Sequence, residues 1–335
     1  MRKFEKKLPY IIAEIASAHD GKVNLAIEIA KKAIASKADA VKFQIFDSKN
    51  LLTKKNPFLK EFKEIEFSFK NWKKIIRAVK NKKISLIVEP YDVSSLDFAK
   101  KLNVFSGYKV PASCLYDQLM LNKLKKIKKP IILSVGAAEF SEIKYAYSQL
   151  AKFNSNIILM CGFQNFPTKI QDAELNKITK LKKYFKTAIG YADHTDAEKK
   201  NLAFGIPLMA CGLGATVIEK HITKNRKIKG NDYFSSLNPD EFYEFVDFLK
   251  SCPKALGKSK KWILSKAEIK YKKFTSKFAV AKKYIRRGEK ITKDNIIFKR
   301  TNKIGILQNS IGRYIGKKIK KNKLPDEMIY SKEIR

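Results

Sequence analysis

Histidine is scarce in this sequence, with 3 in 335 residues, and cysteine nearly so, with 4. Cys114, Cys161, Cys211 and Cys252 are widely scattered. Their spacing fits no zinc or redox motif, which argues against a metal module or a disulfide framework and leaves free thiols as the expectation. Arginine supplies only 8 of the 71 basic residues; the other 63 are lysine. Arginine is the better fork for phosphates and base edges, and a nucleic-acid footprint gathers its charge on one stripe with aromatics interleaved. Here the lysines lie in every segment. The formal net charge of +39 therefore reads as a bias of composition, and no nucleic-acid partner is expected. No apolar run reaches the roughly 18 residues of a membrane span. The opening stretch, MRKFEKKLPYIIAEIA, lacks the long apolar core and small-residue cleavage site of a signal peptide. A cytoplasmic protein with no membrane partner is the expectation. No Walker or dinucleotide glycine motif is present, which speaks against a nucleoside triphosphate or nicotinamide cofactor.

What the sequence does contain is a regular alternation. A hydrophobic content of 44% is enough for a sizeable core. Eight apolar runs of strand length recur: 10–16, 40–46, 84–90, 108–112, 130–136, 156–162, 187–194 and 215–223. Most are near-continuous Ile, Val and Leu, the mark of parallel strands covered on both faces. Amphipathic helical stretches separate or follow them, over 24–36, 68–79, 94–102, 119–126, 141–152, 172–184, 196–213 and 239–251. Strand and helix repeated eight times predict a (β/α)8 TIM barrel of about 250 residues.

After Cys252 the pattern changes. The reading divides the chain into a barrel over 1–252, a Lys-rich linker over 253–275 and a small, mostly β domain over 276–335. Short β-like runs at 277–281, 296–299 and 317–319 and turns at Gly288, Gly305 and Gly312 carry the last assignment. A core of about 60 residues is marginal by itself, so packing on the barrel or a partner is expected.

A strand buried on both sides has no structural use for a charge, and barrel active sites sit at the C-terminal strand ends. The polar residues there are Glu14, Lys42 with Gln44, Glu89, Lys109, Ser134, Gln164, Asp193 with His194, and Glu219 with His221. One such residue could be a satisfied core group; a set drawn from nearly every strand points to a site. All three histidines fall in or beside it, His19 just after the first strand. His194 and His221 end adjacent predicted strands, so their rings could share one metal in an open site. Lys42, Lys109 and the Ser134 hydroxyl would form a cationic pocket for a phosphorylated or carboxylated small molecule.

These residues sit in motifs that resemble a known family. The segment 11–21 reads IIAEIASAHDG, 38–44 reads ADAVKFQ, 130–136 reads PIILSVG, 190–195 reads GYADHT, 214–221 reads GATVIEKH and 236–242 reads SLNPDEF. They are similar to signatures of the sialic acid synthase (N-acetylneuraminate synthase) family. The tail, with AKKYIRRGEKIT at 281–292 and FKR at 298–300, is similar to that family's C-terminal antifreeze-like (SAF) domain. The resemblance implies an enzyme that condenses phosphoenolpyruvate with an N-acetylmannosamine-type sugar, giving a nine-carbon 2-keto sugar acid and phosphate. It implies a divalent metal, Mn²⁺ or Mg²⁺, on His194 and His221. Lys42, Lys109, Ser113 and Ser134 would contact phosphoenolpyruvate. Gln44, Gln164 and Asp232 would contact substrate, and Glu14 would be an acid, a base or an orienting group. Arg300 would reach the partner's active site in a domain-swapped homodimer. The acceptor could be N-acetylmannosamine or a diacetamido-trideoxy hexose.

The sequence departs from the pattern around the donor. Glu89 stands where the family carries a hydroxyl, Cys114 where it carries an acid, Ala192 where it carries a serine and Phe166 where it carries a tyrosine; Arg300 is followed by Thr-Asn rather than Pro-Gly. A carboxylate at position 89 would repel a phosphate unless a cation or proton intervenes. The alternative reading is a divergent sugar-binding barrel without the condensation chemistry.

Overall fold

The computed structural model describes residues 9–80, 82–163, 167–257 and 262–335. Eight parallel strands close into a barrel: β1 (Tyr10–Glu14), β2 (Ala40–Ile45), β3 (Ser85–Pro90), β4 (Gly107–Val110), β5 (Ile131–Ser134), β6 (Ile157–Cys161), β7 (Ala188–Asp193) and β8 (Val217–His221). Around them run α1 (Val23–Ala35), α2 (Ser48–Leu51), α3 (Leu59–Ile65), α4 (Phe69–Val79), α5 (Val93–Leu102), α6 (Gln118–Leu124), α7 (Phe140–Ala151), α8 (Asn176–Phe185), α9 (Lys200–Gly212) and α10 (Pro239–Ser251). The chain divides into two compact units, 1–257 and 258–335.

Each predicted strand is present, most of them trimmed at the ends; β4 is shifted and starts one residue earlier, at Gly107. The helices form for legible reasons. In α4 the Ser68 hydroxyl accepts from the Asn71 N–H, and Trp72, Ile75, Ile76 and Val79 recur at helical spacing on the buried face. In α10 Asn238 and Glu241 form a reciprocal capping box with Pro239 in the first turn. The predicted helix over 172–184 is interrupted: Glu174 takes a left-handed backbone (φ 39°), closing a short 3₁₀ turn before α8 begins. The helices α2 and α3 have no counterpart in the sequence reading. They are short and Lys-rich, and α3 buries no residue, so their periodicity is weak.

Residues of a strand alternate between the two faces of the barrel wall. Tyr10, Ile12, Ala40, Ile87, Ile132, Ile158, Met160, Ala192 and Val217 form one buried apolar cluster inside the barrel. A larger cluster fills the layer between strands and helices. Gly190 has no side chain because Met160 occupies the space: a Cβ there would lie 2.6 Å from the Met160 sulfur.

The second unit holds α11 (Lys266–Thr275) and an antiparallel pair, β9 (Lys277–Ala281) with β10 (Ile296–Arg300). Its core is built from Ala279, Ala281, Ile285, Ile291, Ile296, Ile306, Ile319, Ile329 and Ile334. The run 317–319, predicted as a strand, makes only isolated bridges, Lys290 with Lys318 and Ile319 with Ile334.

Candidate active site

The interior face of the barrel changes character along its length. Continuing each strand two residues beyond the apolar cluster leads from Ile12 to Glu14, Ala40 to Lys42 and Gln44, Ile87 to Glu89, Ile132 to Ser134, Ala192 to His194, and Val217 to Glu219 and His221. Strand register aligns them: Glu14 stands opposite Lys42 on β2 and opposite His221 on β8, and Gln44 opposite Glu89. The charged layer therefore follows from period-2 alternation and register at the C-terminal end of the wall.

Two lysines and three carboxylates meet there, all buried. Lys42 Nζ contacts Glu14 and lies 2.5 Å from Glu89 Oε2 and 2.9 Å from Glu219 Oε1. Lys109 Nζ lies 2.7 Å from the same Glu219 oxygen and 3.5 Å from Glu89 Oε2. Glu14 is held from its other side by the Ala16 N–H, which donates to Oε1 at 2.7 Å. Burial alone would raise the Glu219 carboxyl, but Lys109 and Lys42 outweigh it and hold the group far below the usual carboxylate range. For Lys109, burial is outweighed by the attraction of Glu219 and Glu89, and its pKa is raised. Burial pulls Lys42 down against the same two carboxylates.

Above this network opens a cleft of about 310 Å³, lined in part by Gln44, Glu89, Tyr91, Lys109, Ser113, Ser134, His194, Glu219, His221 and Asp232. Lys42 and Glu14 are not among its lining residues; they lie beneath it. Asp232 Oδ2 accepts from the Ser17 N–H at 2.8 Å. Burial raises the Asp232 carboxyl, with that hydrogen bond opposing. Desolvation and the nearby Glu89 and Glu219 push the Tyr91 phenol well above its ordinary value, so it stays a neutral donor. Burial pushes the Cys114 thiol up to about 11, so it is no thiolate at neutral pH.

His194 and His221 face each other with ring centroids 5.2 Å apart. Burial lowers His194 to about 4; burial and then the neighbouring His194 lower His221 well below its ordinary value. Both are neutral imidazoles at pH 7, the form that ligates metal. His194 Nδ1 lies 2.9 Å from the Phe163 carbonyl, which places the proton on Nδ1 and the lone pair on Nε2. A divalent cation fits this pair. Among the described residues no three His, Cys, Asp or Glu side chains gather as a closed site. Two imidazole nitrogens plus water or substrate oxygens are the donor set that remains.

The cleft thus gathers Gln44, Lys109, Ser113, Ser134, His194, His221 and Asp232, with Lys42 and Glu14 directly below. Gln164 and Phe166 lie outside the described residues. Arg300 is in the second unit, exposed at the end of β10. Asp193 does not join the site. Its parity on β7 is opposite to that of His194, and it pairs with the buried Lys220 at 2.6 Å and with Thr195. His19 also stays outside: its ring packs 4.4 Å from Phe67, and Nδ1 accepts from the Gly21 N–H. Sequence reasoning misses Tyr91; it counts Glu89 among the strand-end polar residues and expects it to repel phosphate unless a cation or proton intervenes. Glu89 has its cation, because Lys42 is within hydrogen-bond distance.

A model of the NeuB family matches residues 29–261, and a SAF-domain model matches 277–335. The chain belongs to the NeuB family. This NeuB-family chain is 33% identical to an N,N'-diacetyllegionaminic acid synthase of Campylobacter jejuni, over 96% of its own length and 99% of the relative's. It is 28% identical to the human N-acetylneuraminate-9-phosphate synthase, over 92% and 88% of the two chains. Among solved structures, a sialic acid synthetase of Leptospira borgpetersenii in complex with citrate superposes with a TM-score of 0.72 and 30% identity, covering 79% of this chain and 92% of that one. The barrel with its appended SAF domain is therefore the architecture of this NeuB-family protein. No helix among the described residues is long and apolar enough to cross a membrane.

Proposed function

We propose that this NeuB-family chain condenses phosphoenolpyruvate with an N-acylated hexosamine, forming a nine-carbon 2-keto sugar acid and phosphate. The observation that carries this reading is the buried lysine pair on Glu219, set under a cleft whose wall holds two neutral imidazoles. Lys109, with the Ser113 and Ser134 hydroxyls, binds the donor's anionic groups, and Lys42 supports it from below. Tyr91 donates a hydrogen bond from a phenol that stays protonated. Asp232 and Gln44 offer acceptors and donors to the sugar hydroxyls. His194 and His221 would hold a divalent metal, Mn²⁺ or Mg²⁺, which when bound supplies Lewis-acid polarisation of the acceptor aldehyde. The enol carbon of the donor bonds to the aldehyde carbon, whose oxygen takes up a proton. Water adds at the cationic C2 and loses its protons as the C2–O bond to phosphate breaks, so that phosphate departs with the bridging oxygen and that bond's electron pair and C2 becomes the ketone. Glu14 lies out of the cleft's reach, so of its expected roles orientation of Lys42 is the one its placement supports.

The SAF-domain match of the second unit, which carries Arg300, is what favours a homodimer in which the second unit of one protomer serves the cleft of the other. The whole reading is tested by incubating the full chain with phosphoenolpyruvate, Mn²⁺ and a panel of N-acylated hexosamines, and weighing the product. A mass equal to the sugar plus pyruvate supports it. Sugar binding without phosphate release across the panel would favour the sugar-binding barrel instead.

A further inference from the structure

The network beneath the cleft carries one carboxylate more than its lysines balance. Lys42 and Lys109 face Glu14, Glu89 and Glu219. At the cleft floor the imbalance is the same: Lys109 is shown beside both Glu89 and Glu219. A small anion that settles on Lys109 meets two carboxylates, and like charges within a few ångströms are repulsive. One of the three must therefore yield its hold.

Glu14 is sealed below, tied to Lys42 and to the Ala16 N–H. Glu219 is locked by two hydrogen bonds to a single oxygen, one from each lysine. Glu89 differs. It hydrogen-bonds Lys42, but its Oε2 is 3.5 Å from Lys109, and it lines the cleft at the penultimate position of β3. Its hold on Lys109 is the weakest contact of the network and the only one in this network that is both long and open to the cleft.

We propose that Glu89 is an internal counter-anion: it orders the Lys42–Lys109 pair while the cleft is empty of substrate and cedes Lys109 to the phosphate or carboxylate of an incoming anion. It is a positioning residue that sets how tightly the donor binds rather than how fast it reacts. This deepens the reading above and rests on it for the identity of the donor; the competition for Lys109 itself needs only an anion.

The test is anion binding to the full chain, with Mg²⁺ fixed, for wild type, Glu89→Gln and the shorter Glu89→Thr. Inorganic phosphate is the probe, followed by calorimetry. Loss of the competing charge is expected to tighten phosphate by about tenfold or more in both variants, tenfold corresponding to about 1.4 kcal/mol. Unchanged or weaker binding in a variant that keeps the wild-type circular dichroism would overturn the proposal. Because phosphate needs no acceptor sugar, this result stands apart from whether the condensation occurs. With phosphoenolpyruvate as substrate, KM should fall in the Gln variant while kcat changes much less. A purely structural role for Glu89 would instead lower the melting temperature and kcat and leave KM where it was.

Discussion

Lys42 and Lys109 share one oxygen: Oε1 of Glu219 accepts from both ammonium groups, at 2.9 and 2.7 Å. The two lysines come from β2 and β4, and the glutamate from β8 across the barrel. One carboxylate thereby bridges two cations, one below the cleft and one at its floor.

Lys42→Met should be severely destabilising. It leaves Glu14 with no lysine and takes one of two lysines from Glu89 and from Glu219, all buried, and breaking a buried ion pair costs about 3–5 kcal/mol. Urea unfolding of the variant against wild type measures it. A loss under about 1 kcal/mol would show that the carboxylates find other partners. Lys109→Met, at the cleft floor, should mainly raise the KM for phosphoenolpyruvate.

His194→Ala and His221→Ala should each lower kcat/KM by roughly 100-fold or more and weaken Mn²⁺ binding by calorimetry in the absence of substrate. Unaltered Mn²⁺ affinity in both variants would remove the imidazole pair as the metal site.

His19 gives the fold a pH dependence that is separate from the site. Burial lowers its pKa from 6.5 to about 4, with Asp20 opposing, and its Nδ1 accepts from the Gly21 N–H. The unfolded chain therefore binds a proton that the native ring refuses between these two values. The contribution is fully present above pH 6.5 and is lost as pH falls toward 4, amounting to about 3 kcal/mol. Unfolding free energies across this window should fall less steeply for His19→Asn than for wild type. Parallel curves would assign the acid sensitivity elsewhere.

The proposed exchange of second units has a direct genetic readout. His194→Ala and Arg300→Ala protein should each be inactive alone. After mixing and exchange of subunits, a mixed dimer would own one cleft with an intact His194 and an intact Arg300 from the other chain. Recovery of activity toward a quarter of wild type supports the exchange. No recovery, with mixed dimers demonstrated by mass, would place Arg300 outside the partner's cleft.

Much of this was legible before the structure. Near-continuous apolar runs located every barrel strand, and charges at the C-terminal ends of those runs marked Glu14, Lys42 and Glu219 as site candidates. What alternation cannot give is which side chains meet across the barrel. That Glu89 needed a cation was legible, but not which one: Lys42 is 47 residues distant in sequence and adjacent only through the β2–β3 register. The sequence groups Asp193 with His194 and sets His19 beside the candidate site, because both lie close to cleft-lining positions in the chain. Parity turns the first outward, and the aromatic packing of α4 and the segment before it claims the second. The segment 48–65 escaped notice since helices that bury few residues leave little period to find.

The proposed reaction is carbon–carbon bond formation over the lysine pair. Its most direct test is an NMR time course with ¹³C-labelled phosphoenolpyruvate, Mn²⁺ and an N-acylated hexosamine. The enol methylene resonance should be replaced by a saturated methylene coupled to the sugar carbon, with one equivalent of phosphate released per sugar consumed. Persistence of the enol signal with every acceptor tried, or phosphate release that yields free pyruvate and leaves the sugar untouched, would contradict it.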